Sequence, residues 1–326
     1  MATVIIILVK GLVLAILLLS VFGIMTLTER KVLGRFQFRP GPNRVGPGGS
    51  LQFVADGLKL LLKEEIIPTG ADRFVYLIAP LISLVAALFA FAVIPWGPPL
   101  HIFGQTVPME IGGPNVGILF LFAITSLGVY GLILAGWSSH NKYSLLGGLR
   151  STAQIISYEL AMGLSVTGVL IAAGSADLNN IVSAQRNLWF VGPQIVGFVI
   201  YVICMVAETN RAPFDLPEAE NELVAGYHTE YSGMKWAMFM MAEYINMITV
   251  SSLATTLFLG GWHGPWLPPE IWFVIKIALF MFFFIWLRAT LPRLRYDRLM
   301  AFGWKVLLPV ALLNTLATAV WVAIAR

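Results

Sequence analysis

Glu159, Glu208 and Glu243 each fall within or at the end of an apolar run of membrane-spanning length. An ionised carboxylate at a helix centre in lipid costs on the order of 3 kcal/mol, so each must be neutral, paired or beside water. A carboxyl group held that way can exchange protons near neutral pH, and the three are candidates for a proton path. The competing role, a structural hydrogen bond between helices, is credible for any one of them. Glu208 also opens the stretch ETNRAPFDLPEAENELVAGYHTEYSGMK, where Asp215, Glu218, Glu220, Glu222 and Glu230 face only Arg211 and Lys235. Such a charge run is ordinarily a solvated loop. Here Pro213, Pro217 and Gly226 punctuate it, and Phe214, Tyr227 and Tyr231 interleave the acids, which a free linker does not need. Crowded into one partly dry cavity, these acids would repel one another and titrate as a group.

Other chemistries lack their residues. Cys204 is the only cysteine, so the chain has neither a disulfide framework nor a cysteine-ligated iron-sulfur cluster of its own. His101, His140, His228 and His263 are scattered over connections and are not paired as haem ligands. Neither a glycine-rich dinucleotide motif nor a Walker motif occurs. No catalytic residue, metal site or nucleic-acid partner is expected, and any redox cofactor must belong to a partner.

The elements that position these residues follow from composition. With 58% hydrophobic residues, 12% charged and a mean hydropathy of +0.82, the chain reads as an all-α, polytopic integral membrane protein forming a single membrane domain, 1–326. Eight spans are expected near 3–27, 74–95, 115–137, 151–174, 190–208, 234–259, 270–290 and 303–325. The first run is too long for a signal peptide and is read as a span. Pro80 and Pro309 predict kinks. Connections 28–73, 138–150, 209–233 and 291–302 carry nearly all the lysine and arginine between spans; the others carry Arg186 alone. The charge asymmetry puts the basic connections in the cytoplasm and both termini in the periplasm. Within 28–73, Ser50 can cap a helix over 50–66 with Leu51, Val54, Leu58, Leu61 and Leu62 on one face and Gln52, Asp56, Lys59 and Lys63 on the other. It reads as an amphipathic interfacial helix, either a simple anchor or the rim of a lateral portal.

Six segments carry a closer likeness: ERKVLGRFQFRPGPNRVGPGGSLQ, GWSSHNKYSLLGGLRS, ISYEL, the acidic stretch, MAEY and LRATLPRLRYDRLM. In order and nearly end to end, they resemble the H-type membrane subunits of bacterial NADH:quinone oxidoreductase, respiratory complex I, a family equivalent to the mitochondrial NADH dehydrogenase subunit 1 family. The resemblance implies a translocase subunit of the bacterial inner membrane that binds no prosthetic group. It would form the entrance and lower part of the quinone chamber, with FMN and iron-sulfur clusters in partner subunits. Its partners would be the quinone-site subunits of the hydrophilic arm, the small and antiporter-like membrane subunits, quinone and membrane lipid. By similarity, Glu29, Arg30, Asp56, Lys59 and Arg293 match chamber-lining positions. Asp215, Glu218, Glu220, Glu222 and Glu230 match loop acids facing the chamber, and Glu159, Glu208 and Glu243 match a proton path. Some relatives carry a further carboxylate in the third span, where this chain has Thr125 and Tyr130. Membrane-bound hydrogenase subunits are similar in the same loops. A stand-alone ion or solute transporter would also explain buried carboxylates, but no inverted repeat is visible. A purely structural anchor would leave those acids unexplained.

Overall fold

Lipid offers no hydrogen bonds to a backbone, so apolar runs of this length must close their bonds internally, and they do so as helices. The computed structural model describes residues 2–102, 105–113, 115–215 and 224–325. Its helices are α1 (Ala2–Phe36), α2 (Gln52–Leu62), α3 (Arg73–Phe91), α4 (Gly117–Ser138), α5 (Lys142–Ala173), α6 (Leu178–Ala184), α7 (Ile195–Glu208), α8 (Gly233–Phe258), α9 (Pro269–Thr290), α10 (Tyr296–Phe302) and α11 (Leu308–Ala325). The one sheet among the described residues is a two-stranded antiparallel pair between α3 and α4, Leu100–Ile102 with Gln105–Val107. Seven of the described helical units are long and apolar enough to cross a membrane: α1, α3, α4, α5, α8, α9 and the unit Tyr296–Ile324. The bundle is therefore that of a polytopic, all-helical membrane protein.

Several helices outrun their apolar stretches. The charged end of α1 stays helical to Phe36, so Glu29 and Arg30 stand on a helix that the apolar pattern would stop at 27. The chain re-enters helix at Lys142 because the Asn141 side chain accepts the Tyr143 N–H at 2.9 Å. Before Pro309, which lacks an N–H, the expected kink takes the form of a π-turn over Gly303–Leu307 joining α10 to α11. Ser50 does not cap α2; its N–H closes the short turn Pro47–Gly49, and the helix starts after Leu51 with no side-chain cap.

The helix α2 is turned inside out by the standards of a soluble protein. Leu51, Val54, Leu58, Leu61 and Leu62 are exposed, while Asp56 turns inward to Arg30 on α1 at 2.6 Å. With lipid as the solvent, the apolar face is the outer one.

Central in the bundle lies α8, packed against α3, α9, α7, α1 and α2. Its hydroxyl-rich half is buried in full: Thr249, Ser251, Ser252, Thr255 and Thr256 each return their O–H to the carbonyl four residues earlier. Close packing elsewhere relies on small residues, since a Cβ on Gly136 of α4 would lie 2.7 Å from Ser144 O and 3.3 Å from Gly148 Cα of α5.

The expected span 190–208 is helical only from Ile195, and 14 residues reach about 21 Å, short of a hydrocarbon core of about 30 Å. Before α7, Val191 N–H donates to Phe258 O at 2.9 Å and Gln194 N–H to Phe190 O at 2.8 Å, and one buried amide ties the segment to the end of α8. Gln185 Oε1 accepts from Phe190 N at 3.2 Å and Gly260 N at 3.0 Å, and Nε2 donates to Thr256 O at 2.8 Å. Gln185→Leu strands these groups without water, each at about 1–3 kcal/mol. A clear fall in the thermal midpoint of the purified protein is expected; an unchanged midpoint would show that the amide is dispensable.

Candidate functional site

Arg211 follows α7 by a tight turn, and the turn is built for it. Asn210 adopts the left-handed conformation (φ 50°), which Asn tolerates better than most side chains, and its Nδ2 donates to Ser151 Oγ at 3.1 Å. From α5, Gln154 Nε2 reaches Ala207 O and Phe214 O, both at 2.9 Å, and ties the two sides of the turn together. The guanidinium is thereby driven into the bundle, where it is 7% exposed.

Three other helices meet it there. Arg211 Nη1 lies 3.0 Å from Glu29 Oε1 of α1, and Nε lies 2.5 Å from Glu243 Oε1 of α8. Its plane covers the Tyr244 ring at 4.4 Å, and the Tyr244 hydroxyl donates to Glu29 Oε2 at 2.5 Å. Arg288, in the last turn of α9, closes the set by pairing with Glu29 Oε1. Burial alone would lower the Arg211 pKa, but Glu243 and Glu29 outweigh it and hold the guanidinium firmly cationic. Two arginines and two glutamates leave the group neutral overall.

Beside it, Asp215 pairs with Arg293 at 2.9 Å. Burial pushes the Asp215 carboxyl up, and Arg293, Arg288 and Arg211 bring it only part of the way back. Further out, Asp56 accepts from Gln52 at 3.2 Å and pairs with Arg30 at 2.6 Å and Lys59 at 3.6 Å. Burial raises that carboxyl slightly, but these partners prevail and hold it below the ordinary range.

On the membrane side of the cluster, Glu243 and Glu208 line one cavity of about 60 Å³, with Ser83, Thr125, Asn210 and Asn246. That is room for several waters, each of which needs roughly 10–15 Å³. Among the described residues, Glu208 Oε2 is buried without a hydrogen-bond partner. Glu159 of α5 accepts the Ser126 hydroxyl of α4 at 2.5 Å. Thr125 and Ser126 thus stand between the cavity and Glu159, where the third span has no acid; Tyr130 faces outward, 58% exposed.

The candidate residues do not all converge. Glu29, Glu243, Asp215 and Arg293 gather around Arg211, with the Arg30–Asp56–Lys59 group on the α1–α2 side. Glu230 goes elsewhere: Asn141 Nδ2 donates to it at 2.6 Å, and it lines a surface groove with Pro68, His140 and Lys142. Nearby, Tyr76 stacks on Tyr231 at 4.1 Å and donates to Glu230 O at 2.7 Å. His228 sits among these aromatics, where burial pushes its pKa down to about 4 and keeps it neutral. Glu218, Glu220 and Glu222 lie outside the described residues. Arg288, Tyr244, Gln154 and Ser126 escaped sequence reading as site residues. Arg288 looked like one more interfacial cation, and the others have side chains common in any bundle. Among the described residues no group of three or more His, Cys, Asp or Glu could hold a metal ion.

A family model described as NADH dehydrogenase matches residues 9–319. The H-type NADH-quinone oxidoreductase subunit of Syntrophotalea carbinolica is 57% identical over 320 residues, 98% of this chain and 97% of that protein. An H-type NADH-quinone oxidoreductase subunit of Geobacter metallireducens is 54% identical over 308 residues, 94% of this chain and 93% of that protein.

Removing one partner of a buried ion pair costs about 3–5 kcal/mol, because the other charge is left uncompensated. Arg211→Met should therefore sharply lower the amount of folded chain in the membrane, and adding Glu243→Gln should recover part of the loss. Membrane yield and thermal midpoint of the single and double variants give the answer; equal losses in both would mean that Arg211 and Glu243 are not coupled.

Proposed function

Because the chain belongs to the NADH dehydrogenase family, we propose that this membrane subunit of NADH:quinone oxidoreductase forms the membrane-side wall of the quinone chamber and passes the charge change of quinone reduction to buried carboxylates. The observation that carries the reading is the Arg211 cluster. It lies within electrostatic reach of the loop acid Asp215, which pairs with Arg293, on one side and borders the Glu243–Glu208 cavity on the other.

Electrons arrive from flavin and iron-sulfur clusters in partner subunits; this chain contributes the surface that receives the quinone head and the acids that respond. Reduction of a quinone takes up two electrons and two protons. Asp215, with a raised pKa, Glu29, and the loop acids Glu218, Glu220 and Glu222 answer by shifting their shared protonation. A unit charge change about 4 Å away alters an ion's energy by roughly 4 kcal/mol at the effective dielectric of a protein edge. Such a change at Glu29 or Asp215 loosens or tightens the hold of Arg211 on Glu243. Glu243 then gains or loses a proton toward the cavity, Glu208 shares it there, and the Thr125 and Ser126 hydroxyls lead toward Glu159. The lysine and arginine asymmetry puts the loops on the cytoplasmic side, so uptake begins from that face.

Two experiments test this. In sealed vesicles holding enzyme that copurifies with its flavin and iron-sulfur partners, Glu243→Gln should lower quinone reduction and proton pumping together. Glu159→Gln should reduce pumping at least as much as electron flow, and Glu218→Gln should lower both while leaving assembly intact. Unchanged reduction and an unchanged pH profile in all three would refute the coupling role. The outward apolar face of α2 supports a lateral portal for the isoprenoid tail. Leu58→Trp or Leu61→Trp should then impair long-tailed quinones more than short-tailed analogues; equal loss for both would favour a simple anchor.

A further inference from the structure

At the end of the bundle opposite the acidic stretch, α1 stands away from α9 and leaves a slot of about 460 Å³. Its walls are Val13 and Leu17 of α1, Phe91 at the end of α3, and Phe273, Val274 and Ile277 of α9. The lining runs from Val9 to Val21, about 18 Å along α1. A groove of this length and volume suits a slender alkyl chain better than a helix, which is about 10–12 Å across.

The polar atoms of this slot are gathered at its outer end. Lys10 Nζ donates to Pro108 O at 2.7 Å and Glu110 O at 3.4 Å, so among the described residues one of its three donors has no acceptor. Glu110 Oε2 accepts from Asn179 at 3.0 Å. Glu270 lies in the first turn of α9, against Gly97 and Met109, and has no ion-pair partner among the described residues. Lys10 precedes Glu29 by 19 positions on the same helix, about 28 Å, close to the thickness of a hydrocarbon core. With Glu29 at one lipid–water boundary, the Lys10 and Glu270 rim stands at headgroup depth of the other leaflet.

We propose that this slot is a structural site for one phospholipid of that leaflet with a zwitterionic, primary-ammonium headgroup of the phosphatidylethanolamine type. One acyl chain fills the space between α1 and α9, Lys10 receives the phosphate, and Glu270 receives the ammonium. An anionic lipid offers Lys10 the same phosphate but brings no cation to Glu270, so the rim discriminates between headgroups. A bound chain also supplies packing for the half of α1 that the protein itself leaves bare: Val9, Val13 and Leu17 are each exposed.

The test uses the purified complex in liposomes doped with phosphatidylethanolamine or phosphatidylglycerol, each carrying a photoreactive acyl chain, with cross-linked peptides mapped by mass spectrometry. Labelling of the α1 and α9 walls should be stronger with the ethanolamine lipid. Glu270→Gln should lower that labelling about two- to fivefold, as expected for loss of a partly exposed ion pair. Val274→Trp, which fills the slot, should abolish it. Equal labelling by both headgroups, or labelling indifferent to Glu270→Gln, would overturn the headgroup assignment. A photoreactive side chain at Val13 that cross-links to another subunit, or a quinone that displaces the lipid probe, would overturn the occupant.

Discussion

A guanidinium buried in a membrane bundle has to be neutralised where it stands, and this requirement at Arg211 organises the end of the molecule that faces the acidic stretch. The desolvation of one arginine is offset by Glu29 from the first helix and Glu243 from α8, and Glu29 needs Arg288 and Tyr244 in turn. Four segments separated by up to 259 positions therefore meet at one point. None can drift without exposing an unpaired ion in a medium that punishes it. The turn after α7, with Asn210 in the left-handed region and Gln154 bracing both sides, supplies the geometry that this meeting demands.

The same network has two faces with different solvents. Toward the acidic stretch, Asp215 and Arg293 pair with each other and are partly exposed. Toward the lipid core, the carboxylates Glu243 and Glu208 line a small cavity. A neutral, tightly coupled cluster between two polar spaces suits transmission: it carries no net charge to stabilise, yet any change at one member shifts the balance at the others. A lone buried ion could not act this way, since it would neutralise itself by changing protonation.

Much of the architecture could be read in the sequence because lipid enforces it. Apolar runs became helices, and the carboxylates Glu159, Glu208 and Glu243 stand on them. The amphipathic pattern after Ser50 became a helix whose apolar face points outward. What stayed hidden depends on contacts between distant segments. No local pattern tells that Arg288 is the second cation of Glu29, or that Glu230 answers to Asn141 while Asp215 answers to Arg293. The late start of α7 did have a local signal, the Gly192–Pro193 pair, which breaks a helix inside an otherwise apolar run. What no local pattern tells is how the backbone survives outside a helix: Gln185 reaches Phe190 and Gly260, and Val191 N–H donates to Phe258 O.

In the proposed path, the third span meets the cavity with hydroxyls and no carboxylate. Without a carboxylate there, Thr125 at the cavity and Ser126 on Glu159 present adjacent hydroxyls on neighbouring sides of α4. A hydroxyl both donates and accepts, so it can relay a proton between water and a carboxyl without holding a charge that lipid would penalise. An acid at this point would need its own partner; a pair of hydroxyls needs only the helix carbonyls that Thr125 and Ser126 already use. In the proposed path, the step from cavity to Glu159 would depend on the rotation of two side chains and on water in the cavity, and not on a further titrating group.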